Sequence, residues 1–225
     1  TPLYSSAASD VYKRQVISYS GGSSVGPRDG TWGQAVYVNE FVRETGILWV
    51  NSAGNEALAH SMWNYNPGED GWHDFGGGEY WMPFIANSYS VMIAMNWNGN
   101  WNGGEDTFFR FTVQDNNGNE VAFASEPKTG RRNDFPFQFT AFEAVPGDIY
   151  YLAIQGGQGA TSSHVLDIFT TRGEVAEWAN VPSYSVSIPG DASSSLTVAA
   201  TGRSSDRLEG YSSQGPRMDN DMKPD

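Results

Sequence analysis

Residues 50–56 read Val50-Asn51-Ser52-Ala53-Gly54-Asn55-Glu56 and close the apolar run Ile47-Leu48-Trp49-Val50. A short apolar run bounded by Gly reads as a buried strand. Its ending is unusual. Ala53 and Gly54 let another group approach the backbone closely. Asn55 then presents a carboxamide, two donors and one acceptor, at the strand's carboxyl end. Taken alone, an Asn after Gly is equally an ordinary turn residue in the left-handed conformation. The flanking segments decide between the two.

Upstream, Val16–Ser20 (VISYS) is a β-branched run stopping at Gly21-Gly22, a strand entering a turn. Thr31 with Gln34 three residues later has a capping-box pattern. Trp32, Ala35, Val38, Phe41 and Val42 recur at helical spacing, and Gly46 is placed to end the helix in the left-handed conformation. Strand, helix and strand over this length predict a βαβ unit with parallel strands.

From about residue 60 the pattern changes. Runs at 79–85, 90–97, 107–114, 120–124, 135–142, 148–154 and 164–170 are β-like, with Phe109, Phe111 and Val113 on one face. Turn clusters such as NWNGNWNGG and QDNNGNE separate them. Seven strands at this spacing predict an antiparallel β-sandwich. Residues 185–201 return to the first texture, a loop leading into an apolar strand.

Composition narrows the function. The 225 residues carry 13 Lys and Arg against 26 Asp and Glu, a formal charge of −13. A nucleic-acid partner needs a basic face and is excluded as an expectation. The acidity suits an extracellular or salt-tolerant protein. There is no cysteine, so disulfides, thiolate catalysis and Cys-ligated zinc are out. No run of about 18 apolar residues exists to span a membrane.

Three separated pieces resemble the subtilisin-like serine peptidases: VISYSGG, LWVNSAGNE and IPGDASSSLTVAATG…LEGYSSQGPRMDNDMKPD, in that order. The resemblance covers roughly residues 16–57 and 185–225. It implies an α/β fold: a partial parallel-sheet, subtilisin-like core (16–59 and 184–225) interrupted by an inserted antiparallel β-sandwich (60–183). It further implies a secreted serine endopeptidase acting on protein or peptide substrates and requiring no cofactor. Asn55 matches the family's oxyanion-hole asparagine. Such a donor, aimed where negative charge develops on the attacked carbonyl oxygen, stabilises the transition state above the ground state. Its loss costs about 10²–10³ in turnover, a magnitude measured on subtilisin itself. Ser20, Gly21 and Gly22 match the edge that pairs with substrate backbone. Ser52, Ala53 and Gly54 match one wall of the pocket for the residue before the cleaved bond.

The family's Asp, His and Ser triad, with its motifs, does not occur in this sequence. The motif order would put Asp and His before Val16 and Ser after Asp225. The chain is therefore expected to be an internal fragment, inactive alone. Consistent with that expectation, SSAASDVYKRQ (5–15) resembles a translated adapter of transposase-based sequencing libraries, so residues 1–15 are set apart as non-native. His60, His73 and His164 stand in no triad-like context. Trp72, Trp81, Trp97 and Trp101 raise a sugar-binding alternative, but aromatics on strands are more often core. Asp70, Asp74 and Glu79, or Glu105 and Asp106, suggest structural calcium, although Asp115–Glu120 reads as a hairpin turn. No metal ligand is assigned. The competing functions are a non-catalytic β-sandwich binding module for carbohydrate or protein, and a degenerate peptidase.

Overall fold

The computed structural model of the chain describes residues 15–225, so the adapter-like segment, Gln15 apart, lies outside the described residues. In chain order the elements begin with strand β1 (Val16–Tyr19), helix α1 (Gln34–Thr45) and strand β2 (Leu48–Ser52). Then come β3 (His60–Asn64), β4 (Met82–Ala86), β5 (Ser90–Trp97), β6 (Phe109–Gln114) and β7 (Glu120–Ala124). β8 (Phe137–Glu143), β9 (Ile149–Gly156), β10 (Val165–Thr171), β11 (Gly173–Val175) and β12 (Leu196–Val198) complete the chain.

Three sheets result. β1, β2 and β12 form a parallel sheet in that order, with Val16 opposite Leu48 and Leu196 opposite Val50. The order β3-β10-β5-β8 makes a four-stranded antiparallel sheet, and β11-β4-β9-β6-β7 a five-stranded one. The two antiparallel sheets share one apolar core. It includes Trp97, Phe109, Phe111, Leu152 and Ile168, all at most 2% exposed. Period-two alternation produces it: β6 buries Phe109, Phe111 and Val113 and turns Arg110 outward.

A second, smaller cluster joins Ala35 and Val38 of α1 to Ile188 and Ala192, with Trp32, Val42 and Trp49 packed against it. Gly46 ends α1 at φ 68°, its N–H donating to the Val42 carbonyl at 2.9 Å. At the other end the capping box does not form. Gly33 is the N-cap, and the Thr31 hydroxyl bonds Asp29 instead.

The α/β expectation is corrected here. Strand accounts for 35% of the described residues and helix for 7%. The parallel sheet stops at three strands, and α1 is the one α-helix among the described residues. Among the described residues the α/β subtilisin-like core that the motifs implied is absent. The physical reason is local. Beyond residue 60 the apolar pattern has period two, and antiparallel pairs need only short turns. Each further parallel strand would require a helical crossover of a dozen or more residues. α1 covers part of the parallel sheet, while Val16, Leu48, Leu196 and Val198 remain about half exposed.

A buried ion-pair network lies between the segment before α1 and the four-stranded sheet. The Arg28 guanidinium donates to Asp167 of β10 and to the Tyr184 carbonyl. His60 of β3 meets the same carboxylate through Nε2 at 2.8 Å, and Asn96 of β5 donates to it at 3.0 Å. Burial, the largest influence, pushes the Asp167 carboxyl upward. The charge of Arg28, the hydrogen bond and charge of His60 and the bond from Arg28 together outweigh it, holding the carboxyl below the usual carboxylate range.

Candidate functional site: a cleft at the carboxyl end of the parallel sheet

The central strand β2 delivers its last residues to the end of the parallel sheet. The Ala53 N–H donates to the Val198 carbonyl at 2.9 Å, extending the pairing with β12. The Ala53 carbonyl accepts from the Ser187 N–H at 2.9 Å and the Ser187 hydroxyl at 3.2 Å. Gly54 follows at φ +113°, its carbonyl accepting from the Ser213 N–H at 2.9 Å. A Cβ on Gly54 would stand 2.7 Å from Ser213 Oγ and 2.8 Å from Ser187 Oγ, so glycine is required by both conformation and space. The unusual φ falls on Gly54, and Asn55 is not among the residues with positive φ. The left-handed turn reading of Asn55 therefore does not describe it.

Asn55 is exposed, and among the described residues no hydrogen bond engages its carboxamide. Ser20, Gly21 and Gly22 approach from β1, an edge strand that pairs with β2 on one side. Just beyond them, Ser23 and Ile188 bond each other in both directions at 2.9 and 3.0 Å. A Cβ on Gly22 would come within 2.4 Å of Ser187 Oγ.

These segments enclose one cavity of about 270 Å³, lined by Ser20, Gly21, Gly22, Ser52, Gly54, Asn55, Glu56 and Ser187. Six of the seven residues singled out in the sequence thus meet there. Ala53 does not line it. It is 1% exposed and anchors the wall from behind. Sequence reasoning missed Glu56 and Ser187. Glu56 directly follows the amide, and Ser187 alternates with Ser185 in the returning segment; both signals were present.

Glu56 brings the cavity its negative group. Burial raises its carboxyl above the usual range, and a hydrogen bond from the Thr171 hydroxyl at 3.3 Å opposes the rise. The Glu56 N–H donates to Ser213 Oγ at 2.9 Å. The cavity therefore offers the hydroxyls of Ser20 and Ser52, an uncommitted carboxamide and a carboxyl whose affinity for a proton is raised by burial. It can donate hydrogen bonds to a carbonyl or a developing oxyanion.

The histidines stand elsewhere. His60 is fully buried between Asp167 and the Val181 carbonyl. His73 accepts from the Asn66 N–H at 3.0 Å, and His164 bonds Thr161. Of the acidic groups weighed for calcium, Asp74, Glu79 and Glu105 are engaged with backbone N–H groups, and Asp70 and Asp106 stand apart from them. Asp74 accepts from Gly76 and Gly78, and Glu105 from Thr107 and Asn100. Asp115 closes its own turn through Asn117 and Asn119. Among the described residues no group of three His, Cys, Asp or Glu is placed to hold a metal ion, and no helix is long and apolar enough to cross a membrane.

The structure of the Clostridium perfringens CspB protease resembles this chain with a TM-score of 0.60 at 12% sequence identity. The likeness covers 94% of this chain and 47% of that one, so the chain spans about half the length of the protease. No protein-family profile matches the sequence, and no curated protein does. At this identity the likeness is one of fold alone. Membership of the subtilisin-like family, read from the short motifs, is thereby corrected: no profile supports it, and the described residues are mostly antiparallel β without the α/β core it implies. The chain shares its fold with part of a protease.

Proposed function

We propose that the cleft is the oxyanion and backbone-binding part of a serine-type endopeptidase site, with Asn55 as the donor to the developing oxyanion. Ser20, Gly21 and Gly22 would hold substrate backbone along the β1 edge of the sheet, which is unpaired among the described residues. Ser52 and Gly54 would bound the side chain before the scissile bond. The nucleophile, base and orienting acid are assigned to polypeptide outside this sequence. The reaction needs no cofactor, and an extracellular setting and a peptide substrate belong to the same proposal.

One observation carries the reading: two segments about thirty residues apart in sequence place an unspent carboxamide and a sheet edge around one cavity. Preorganised donors of this kind act most strongly where charge develops in the transition state. The fold shared with a protease is compatible with this chemistry.

The test has two readouts on the chain of 225 residues. Calorimetric titration with an extended hexapeptide should show binding that Asn55→Ala weakens. A chromogenic peptide and a serine-directed fluorophosphonate should give neither turnover nor labelling. Failure to bind any extended peptide would overturn the cleft assignment. Labelling of a serine would overturn the placement of the nucleophile outside this chain.

A further inference from the structure

The outward face of the five-stranded sheet carries aromatic residues. In one row across three adjacent strands, Pro83 of β4 pairs with Tyr151 of β9, and Tyr151 with Gln114 of β6. The next row, Met82, Leu152 and Val113, is fully buried. Tyr151 and Gln114 therefore point away from the core. Trp81, two residues before Pro83, lies on the same side and is partly exposed. An outward sheet face ordinarily carries small or charged residues, yet here it carries an indole and a phenol.

Trp178 completes the arrangement. It follows β11 and is 52% exposed. Its ring is fixed by edge-on contacts to Trp63 at 6.1 Å and Phe75 at 6.4 Å. With Trp81 and Tyr151 it walls a cavity of about 660 Å³, within the ~300–1,000 Å³ typical of small-molecule sites.

The polar groups narrow the ligand class. No Lys or Arg lines the cavity, so an anionic ligand would lack a counter-charge. Both oxygens of Asp115 are taken by Asn117 and Asn119 of its own turn, and Glu79 accepts the Trp81 N–H at 3.0 Å. One uncommitted carboxylate oxygen is a poor basis for a cation site. Among the described residues the Gln114 carboxamide has no hydrogen-bond partner, while Asn116 accepts from the Tyr151 hydroxyl at 3.4 Å and keeps its two donors free. Flat aromatic walls combined with unspent amides match a ligand having an apolar C–H face and a rim of neutral hydroxyls. A pyranose ring has that shape, and its C–H groups meet the negative face of an aromatic ring.

We infer that the groove formed by Trp81, Tyr151, Trp178 and Gln114 binds a neutral oligosaccharide. The site lies on the antiparallel sheets and shares no lining residue with the cleft around Asn55.

The inference is tested on the chain of 225 residues by titration with cello-, xylo-, manno-, malto- and chitohexaose, followed through the indole N–H signals in ¹⁵N spectra. At least one hexasaccharide should bind saturably and shift the Trp81 and Trp178 signals. Trp178→Ala should weaken that binding at least about tenfold. Gln114→Ala removes a side chain with no internal bond, so it keeps the test open if the tryptophan variant folds poorly. It should weaken binding while leaving the unfolding midpoint unchanged. The inference is overturned if none of the five binds, if binding survives both substitutions, or if trilysine shifts the same indole signals and the sugars do not.

Discussion

Ser187 is bonded twice to the carbonyl of Ala53, through its N–H at 2.9 Å and its hydroxyl at 3.2 Å, across a sequence separation of 134 residues. The chain leaves the parallel sheet after Ala53, builds two antiparallel sheets, and returns to close the wall it left. The cleft thus depends on two segments that local sequence cannot join.

Gly54 is the tightest point of that closure. Gly54→Ala puts a Cβ at φ +113° and within 2.8 Å of two serine oxygens. A destabilisation of about 1–3 kcal/mol is expected from the backbone conformation alone. Thermal unfolding checks it. An unchanged midpoint would mean that the Ser187 and Ser213 contacts do not hold in solution.

Asn55 is the opposite case. It is exposed and its carboxamide is uncommitted, so Asn55→Ala should change stability by no more than about 0.5 kcal/mol. Peptide affinity should fall nonetheless. Denaturant titration beside calorimetry separates the effects, and equal loss of both would mark Asn55 as structural.

Arg28 and Asp167 form a buried pair whose loss is costly on either side. Removing one partner, as in Arg28→Met, leaves a buried charge, and a cost of about 3–5 kcal/mol is expected. The Asp167 carboxyl is held below its ordinary value of 3.8. Its contribution is therefore present above about pH 4 and is lost as pH falls through the folded-state value. Asp167→Asn should flatten the stability profile in that acid range.

Asp191 titrates the other way. Burial raises its carboxyl to about 6, only partly offset by the Gly30 N–H and the Arg28 charge. Its second oxygen, Oδ1, is buried without a partner. The folded state thus prefers the protonated form. The stability it contributes is full below about pH 4 and is lost as pH rises through about 6. Asp191→Asn should gain on the wild type by on the order of 2–3 kcal/mol between pH 4 and 8. Melting curves at both pH values decide it, and an equal difference at each would contradict the assignment.

Much of the antiparallel part was legible, because period-two alternation and Gly or Asn turns are local signals. β5 and β7 lie at their expected bounds, and β6 buries the face its alternation indicated. β3 and β11 were not read. His60–Asn64 mixes polar and aromatic residues, and the three residues of β11 are too few to show a period. Ile47–Val50 signalled a parallel sheet but not its extent, since strand number depends on crossovers the run cannot reveal. In the cleft, glycine and asparagine marked the wall formed by one continuous segment. Glu56 and Ser187 stood beside local signals, the amide and the Ser185 alternation, but their place in the cleft arises from tertiary closure. Trp178 escaped for the same reason: its surroundings come from Trp63 and Phe75, more than a hundred residues earlier.

The central claim is that the Asn55 carboxamide meets the carbonyl of a bound peptide. The most direct measurement follows its side-chain NH₂ signals in ¹⁵N spectra during titration with an extended hexapeptide. They should shift together with the backbone amides of Ser20, Gly21 and Gly22, along one binding isotherm. A peptide that binds while these signals stay in place would contradict the assignment of the cleft.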